Sequence, residues 1–244
     1  MATPEFLVPD WPVPARVRAA VTTRRGGVSR GRFAGFNLGA HVGDDAAAVA
    51  DNRARLAAAL ALPAEPAWLE QVHGREVALL PRATPAPADA AVTFAPGEVC
   101  AVLVADCLPV FLASRTGDRV GIAHAGWRGL AGGVIEATVA ALGGEPGALV
   151  AWLGPAIGPQ SFEVGDEVRE AFVARDEGSA AAFSAGRDGR WHADLPRLAR
   201  RRLAALGVDD VRGESPCTYS DPDRFFSYRR DGATGRMAAL AWLA

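Results

Sequence analysis

The sequence predicts an α/β fold of the mixed α+β kind, with a single domain in which helices flank a mixed β-sheet core. Predicted strands and helices alternate along the chain, which is typical of such folds. The hairpin-like strands near both ends do not suit a purely parallel sheet. The chain has 244 residues and no internal repeat or linker. This length fits one domain, predicted over residues 1–244.

The first part of the chain is predicted to form a strand, a helix and two short strands. The strand covers 17–23. Asp44 or Asp45 is suited to cap the helix that follows, because a carboxylate accepts hydrogen bonds from free backbone N–H groups at a helix start. Residues 68–80 are predicted to form two short strands around His73. His73 is therefore expected at a turn or a strand end.

A long apolar run covers residues 99–113 and predicts a strand buried on both faces. Asp106, Cys107 and Pro109 interrupt it. Proline cannot donate a ladder hydrogen bond and fits a strand end, a bulge or a sheet edge. Cys107 is therefore expected where the sheet is locally broken.

The second half of the chain alternates between strands and helices. Residues 119–124 are predicted to form a strand, so that His124 lies where a strand gives way to a helix, the usual place for ligands in α/β proteins. Residues 176–190 are rich in Gly, Ala and Ser and are predicted to form a mobile surface loop. Further predictions are helices over 130–142, 166–175 and 195–206 (capped by Asp194), strands over 148–153, 208–212 and 236–243, and a loop over 224–235.

Composition excludes several classes of partner. The net charge is −2, and no basic stripe runs along the chain, so nucleic acid is not an expected partner. No signal peptide pattern is present, and no apolar run approaches the roughly 20 residues of a membrane helix. The three cysteines suit a reducing compartment. We therefore expect a cytoplasmic monomer or homodimer without a membrane partner.

Three metal-capable residues lie in similar settings. His73, Cys107 and His124 each stand beside small or turn residues at a predicted strand end. Two imidazoles and one thiolate form a natural catalytic zinc set that leaves the fourth tetrahedral position open to water or substrate. Their spacing alone is not a zinc motif, and packed core residues are the competing interpretation.

Five separated segments resemble one known family. They are QVHG (71–74), ADCLPV (105–110), AHAGWRG (123–129), GPAIG (154–158) and FSYRRDG (226–232). Over nearly its whole length the chain is similar to the laccase-domain family, whose members carry a multicopper oxidase name. The resemblance implies that His73, Cys107 and His124 are the zinc ligands and the catalytic residues.

The resemblance also implies the reaction. It is phosphorolysis of purine nucleosides such as adenosine, inosine and methylthioadenosine, with adenosine deamination as a further activity. Purine nucleosides and phosphate are thus the expected partners, and zinc is the expected cofactor. Copper is the adventitious alternative, because it binds divalent sites with higher intrinsic affinity.

Candidate substrate contacts lie near these motifs. The run from Gly126 to Gly129 is expected at a helix start, where free N–H groups favour an anion, and Arg128 adds a charge-assisted contact to phosphate. Asn37, Glu163 and Arg229 are further candidates. Close packing of helix on sheet, or support of a loop, is the alternative for these residues. Asp106 is expected to have a structural role, and Cys100 and Cys217 are expected to be buried thiols.

Two other enzyme classes compete with this interpretation. A copper polyphenol oxidase needs a copper cluster in addition to the His and Cys site, and four histidines leave only two for it. A cysteine hydrolase, including one that edits peptidoglycan precursors, would use Cys107 as nucleophile with His73 or His124 as its base. A structural zinc module is disfavoured, since a fourth protein ligand is missing.

Overall fold

The computed structural model describes residues 3–81 and 87–244. It confirms the predicted mixed α/β class. Instead of one central sheet, the described strands form two large mixed sheets and a small third one. Helices lie outside both large sheets.

The elements have the following bounds. The strands are β1 (Phe6–Leu7), β2 (Val17–Thr22), β3 (Ala67–Trp68), β4 (Val77–Leu80), β5 (Ala90–Thr93), β6 (Val99–Val104), β7 (Leu108–Ser114), β8 (Val120–Ala125), β9 (Leu149–Leu153), β10 (Glu163–Val164), β11 (Phe183–Ala185), β12 (Trp191–Ala193), β13 (Asp210–Arg212) and β14 (Met237–Leu243). The helices are α1 (Ala46–Leu60), α2 (Trp127–Gly132), α3 (Val134–Leu142), α4 (Asp166–Val173), α5 (Leu195–Ala205) and α6 (Tyr228–Asp231).

The chain alternates between the two large sheets. One has the order β1-β2-β14-β6-β3 and the other β13-β9-β7-β8-β5-β4. Most neighbours are antiparallel, while β3 with β6, β4 with β5 and β9 with β13 are parallel. The chain passes from the first sheet to the second between β3 and β4 and again between β6 and β7. These two crossings carry His73 and Cys107.

One large core cluster fills the space between the two sheets. Val102 on β6 and Ala239 on β14 belong to the same buried cluster as Phe111 on β7 and Ile122 on β8. Phe111 also packs edge to face against Trp152, with ring centroids 5.4 Å apart. Strands covered on both faces must be apolar throughout, which accounts for the continuous apolar run of 99–113.

Helices cover the outer faces of both sheets. α1 buries Leu56 against Phe36 and Leu38 on the outside of the five-stranded sheet. α3 and α5 cover the outside of the six-stranded sheet. As predicted, Asp45 caps α1 by accepting from the Ala47 N–H, and Asp194 caps α5 by accepting from the Arg197 N–H.

Three predictions about elements were wrong. The helix predicted over 130–142 is divided into α2 and α3 at Gly133, whose φ of 100° breaks the helical path. The loop predicted over 176–190 contains a 3-10 helix, Glu177–Ala182, and strand β11, with Phe183 buried. The loop predicted over 224–235 contains α6.

In the described ranges we find no helix that combines the length and the apolar character needed to span a membrane.

Candidate metal centre

The structure brings the three predicted ligands together. His73 lies in the loop between β3 and β4, Cys107 in the turn between β6 and β7, and His124 near the end of β8. One ligand atom from each side chain lies within 4.8 Å of the other two. The Cys107 Sγ and the His73 Nε2 are 3.9 Å apart. The cluster thus joins three separate segments of the chain.

This geometry fits a zinc ion. A tetrahedral zinc holds nitrogen at about 2.0–2.1 Å and sulfur at about 2.3 Å, so that neighbouring donors lie about 3.5 Å apart. The observed separations, 3.9 Å for Cys107 and His73 and at most 4.8 Å within the set, would shorten by up to about 1 Å on binding such an ion. Three protein donors leave one tetrahedral position open, the arrangement typical of catalytic rather than structural sites.

A residue that the sequence analysis missed, Asp89, organises the cluster. Its carboxylate is fully buried and accepts a 2.8 Å hydrogen bond from the His124 Nδ1–H. It also accepts from three consecutive backbone N–H groups, those of Val72 at 3.1 Å, His73 at 3.0 Å and Gly74 at 2.7 Å. One carboxylate therefore orients both histidines and leaves the His124 Nε2 free for a metal.

The loop around His73 needs this support. His73 has a φ of 58°, in the left-handed region that residues with a side chain rarely adopt. The Asp89 carboxylate holds that conformation through the three N–H groups. A signal for Asp89 is present in the sequence, since an acidic residue stands between Ala88 and Ala90 in an otherwise apolar stretch. Metal-bound histidines usually have such a carboxylate partner.

Cys107 and His124 shift the pKa values of each other. Burial raises the pKa of Cys107, but the neighbouring His124 and His73 outweigh it and bring that pKa down to about 6. Burial lowers the pKa of His124, but Cys107 and Asp89 together raise it to about 9. Both shifts favour the thiolate form of Cys107 and the protonated form of His124. A thiolate is the form of cysteine that binds metals.

A cavity of about 620 Å³ opens over the three ligands. This volume is typical of sites for small molecules. Apolar and aromatic side chains form part of its wall, and cationic side chains form another part. Besides the three ligands, the lining comprises His41, Leu69, Glu70, Gln71, Leu103, Ala105, Asp106, Trp127, Arg128, Ile157, Phe162, Leu195, Tyr228, Arg229 and Arg236.

Two of the four predicted substrate contacts line this cavity. Arg128 is exposed, and its guanidinium lies 4.5 Å from the centroid of the Trp127 ring. Arg229 donates to the Glu163 carbonyl at 2.8 Å and lies over the Phe162 ring. Glu163 is not a lining residue, and its carboxylate lies 3.5 Å from the Arg190 Nε. Its backbone, rather than its carboxylate, contributes to the site.

The fourth candidate, Asn37, is fully buried and does not line the cavity. Its Oδ1 accepts from the Gly39 N–H at 3.0 Å and from the Arg236 N–H at 2.9 Å. Its Nδ2 donates to Asp44 at 2.9 Å. These contacts agree with the loop-supporting alternative. Through them, Asn37 holds Arg236, a lining residue that the sequence analysis did not single out.

Asp106 fastens α6 to the turn that carries Cys107. It accepts from the Thr218 hydroxyl at 2.6 Å and from the Arg229 backbone N–H at 2.7 Å. The second contact lies at the N-terminal end of α6, so Asp106 sets the position of Tyr228 and Arg229 at the cavity. This agrees with the structural role expected for Asp106.

The other two cysteines lie outside the cluster. Cys100 is buried as expected, and burial, followed by the nearby Glu98, raises the pKa of its thiol. Cys217 was expected to be buried but is partly exposed, and its Sγ accepts from the Gly158 N–H at 3.1 Å. All three cysteines are free.

The chain is similar in sequence and in structure to known proteins. The family described as multi-copper polyphenol oxidoreductase laccase matches residues 18–244. A Pseudomonas aeruginosa protein named purine nucleoside phosphorylase is 54% identical over 98% of both chains. The purine nucleoside phosphorylase YfiH of Escherichia coli is 52% identical over 98% of this chain and 99% of its own. The crystal structure of a Neisseria meningitidis protein superposes with a TM-score of 0.93, at 48% identity over 98% of both chains.

Proposed function

The chain belongs to the multi-copper polyphenol oxidoreductase laccase family, and we propose that it is a zinc-dependent purine nucleoside phosphorylase. Its substrates would be adenosine, inosine and methylthioadenosine, and it would also deaminate adenosine. One observation carries the proposal. The cluster of His73, Cys107 and His124 lies at a cavity of nucleoside size, in a chain 52% to 54% identical to proteins named purine nucleoside phosphorylase.

The cavity has the composition that a nucleoside needs. Trp127, Phe162 and Ile157 provide apolar surface on which a purine ring can pack. Glu70 and Gln71 add polar groups, as the hydroxyls of a ribose require. A site that combines an aromatic wall with a few polar groups binds one flat, polar molecule in a defined orientation.

In the proposed mechanism His73, Cys107 and His124 hold the zinc, and Asp89 orients both histidines. A bound zinc would supply Lewis acidity toward an oxygen of phosphate or of water. For deamination, the oxygen of a water molecule would bond to C6 of adenine, the bond from C6 to the amino nitrogen would break, and the amino group would leave as ammonia with a proton from that water.

Phosphorolysis requires a phosphate oxygen to form a bond to C1′ of the ribose while the bond from C1′ to the purine nitrogen breaks. The purine leaves with the bonding electrons and takes up a proton. Arg128 and Arg229 line the cavity, and we assign them to contacts with the substrates, where their charge stabilises the negative charge that develops as the purine departs. Holding both reactants side by side lowers the entropic part of the barrier.

The arrangement of histidines favours this chemistry over a copper oxidase. His192 lies on β12 and bonds the Pro159 carbonyl through Nδ1. His41 lines the cavity. Over residues 3–81 and 87–244, the single cluster of three or more His, Cys, Asp or Glu side chains with metal-binding spacing is the one described. A laccase would need a second cluster to reduce oxygen.

One observation favours the cysteine hydrolase as a second candidate. Cys107 and His73 lie 3.9 Å apart, and the lowered pKa of Cys107 is a property of nucleophilic cysteines. The two functions differ in the state of the thiol. A zinc ligand resists alkylation until the metal is removed, whereas a nucleophile reacts in the active protein.

We further propose a cytoplasmic location, as a monomer or homodimer without nucleic-acid or membrane partners. The three free cysteines and the net charge of −2 support this.

Product analysis tests the proposed function. Purified zinc-loaded protein is incubated with inosine or adenosine, with and without phosphate. We expect hypoxanthine and ribose 1-phosphate from inosine only when phosphate is present, and inosine from adenosine also without it. His192→Ala is a control that should retain both reactions, while Cys107→Ala should lose them. Absence of any base release from inosine in the presence of phosphate would exclude the phosphorylase.

A further inference from the structure

Arg236 is a cavity-lining cation that lacks an acidic partner. It directly precedes β14, and its Nη1 donates to the carbonyls of Thr234 at 2.9 Å and Gly235 at 3.1 Å. These bonds fix the guanidinium plane. In the part of the chain that the structure describes, Arg236 forms no ion pair, and its Nε and Nη2 have no hydrogen-bond partner.

A buried loop holds the backbone of Arg236 from the other side. The Asn37 side chain accepts from the Arg236 N–H at 2.9 Å, and the Leu38 N–H donates to the Arg236 carbonyl at 3.1 Å. Asn37 and Leu38 are fully buried. The loop that contains Asn37 therefore fixes the position of the Arg236 backbone through these two hydrogen bonds.

Gly39 in the same loop leaves the space that the Arg236 side chain occupies. A Cβ at Gly39 would lie 2.8 Å from the Arg236 Cγ and 3.1 Å from its Cβ. Such contacts are too close for carbon atoms, so a side chain at Gly39 would displace Arg236. Glycine here preserves the direction of Arg236 into the cavity.

Arg236 lies within electrostatic reach of negative groups at the three-residue cluster and of the neighbouring His41. Burial lowers the pKa of Arg236, while Cys107 and Asp106, in that order, raise it, which shows that the guanidinium lies within electrostatic reach of the metal centre. Burial also lowers the pKa of His41, followed by the positive charges of Arg236 and Arg53. Arginine stays protonated in proteins, so a partly buried arginine that faces a cavity is suited to bind an anion there.

We propose that Arg236 binds the phosphate substrate, in a site made by the Asn37 loop and open to the metal centre. This inference rests on the proposed phosphorylase function. The Nε and Nη2 donors form the planar fork that pairs with two oxygens of a phosphate ion. The site replaces the one expected at Arg128, which is exposed and lies in the first turn of a helix of only six residues.

Calorimetric titration of zinc-loaded protein with inorganic phosphate tests the site without any nucleoside. Loss of a charge-assisted contact should raise the dissociation constant of phosphate about ten- to a hundredfold in Arg236→Gln. Arg236→Lys keeps the charge but loses the planar pair of N–H donors. Its affinity for phosphate should therefore lie between those of the wild type and Arg236→Gln. Gly39→Ala leaves the charge intact but displaces the side chain, and it should also weaken phosphate binding. Arg212→Gln, a change outside the cavity, should bind phosphate like the wild type.

Kinetics separates this inference from the proposed function. In Arg236→Gln, the KM for phosphate should rise by a similar factor while the KM for inosine stays the same. Phosphate affinity that is unchanged in Arg236→Gln, or lost only in Arg128→Gln, would overturn the inference, as would a wild-type protein that binds no phosphate. Phosphate binding that depends on Arg236, in a protein that cleaves no nucleoside, would support the anion site and refute the phosphorylase.

Discussion

Asp89 links the two histidines of the candidate metal centre through hydrogen bonds to both of their segments. Its carboxylate accepts one hydrogen bond from the His124 ring and three from the backbone of the His73 loop. Four donors surround it, so a replacement that brings its own N–H groups must break part of the arrangement.

We expect Asp89→Asn to bind zinc about ten- to a hundredfold more weakly than the wild type, the usual cost of losing a carboxylate behind a metal-bound histidine. The Asn amide offers one oxygen acceptor, and its NH2 group faces N–H donors. Competition with a chromophoric chelator measures the affinity. Asp118→Asn is the matched control, because Asp118 lies in the hairpin turn between β7 and β8 and bonds Ser114 and Thr116. Equal zinc affinity of the Asp89 variant and the wild type would contradict the role of Asp89.

Cys107 allows a prediction about pH. Its pKa of about 6 lies below that of an ordinary thiol, so the thiolate forms as the pH rises through 6. In metal-free protein, alkylation of Cys107 by iodoacetamide should rise with pH and reach half its maximal rate near pH 6. Mass spectrometry of the Cys107 peptide follows the reaction, with buried Cys100 as an unreactive internal reference. A midpoint near 8.5 would show that the histidines do not stabilise the thiolate, and zinc should suppress the reaction at every pH.

At this scale the sequence identified part of the site. The three candidate ligands stood in recognisable motifs, and the structure brings them together. Asp89 and Arg236 were missed because their roles depend on contacts between distant segments. Asp89 bonds His124, 35 positions away, and Arg236 bonds Asn37, 199 positions away. An acidic residue within an apolar stretch marks Asp89 as unusual, but no local pattern identifies the distant partner of either residue.

At the scale of elements, the break between α2 and α3 allows one stretch of chain to line the cavity and to pack on the six-stranded sheet. α2 begins at Trp127 and carries the cavity residue Arg128, whereas α3 packs on the six-stranded sheet. Gly133 makes the break with a φ of 100°, a conformation that costs a residue with a side chain about 1–3 kcal/mol.

Gly133→Ala should therefore lower the free energy of unfolding by about 1–3 kcal/mol, measured by urea denaturation. Gly132→Ala is the matched control, because Gly132 ends α2 and a Cβ there meets no atom within 4 Å. That variant should be as stable as the wild type or up to about 1 kcal/mol more stable, since alanine favours a helix. Equal stability of the two variants would mean that the break does not depend on the glycine.

Elements were predictable where the signal is local. The caps Asp45 and Asp194 were recognised because a carboxylate at a helix start acts on its own neighbours. β11 was missed, since its composition suggests a loop and its stability comes from pairing with β12. The helix break was missed because the glycine lies inside an apolar stretch that otherwise favours a helix.

At the scale of the whole molecule, the metal centre lies at the junction of the two large sheets. The His73 loop joins β3 of the five-stranded sheet to β4 of the six-stranded sheet, and the Cys107 turn joins β6 to β7 in the same way. One central sheet was predicted instead of two, because the apolar run of 99–113 has the pattern of strands in either arrangement. Contacts between residues far apart in the sequence decide which strands pair.

A metal at this junction should stabilise the whole fold. Zinc at a free concentration 100 times its dissociation constant should raise the free energy of unfolding by about 2.7 kcal/mol, because only the folded chain assembles the site. Urea denaturation with and without zinc measures the effect, and a chelator should reverse it. In Cys107→Ala, zinc should raise the free energy of unfolding only slightly. If that variant gained as much as the wild type, zinc would have to bind elsewhere.

The most direct test of the central claim is a titration of zinc into metal-free protein while ribose 1-phosphate is measured from inosine and phosphate. We expect no product without metal, because His73, Cys107 and His124 then lack the group that supplies Lewis acidity. The rate should rise in proportion to added zinc and reach its plateau at about one ion per chain. Full phosphorolysis by the metal-free protein, or by Cys107→Ala, would contradict the account.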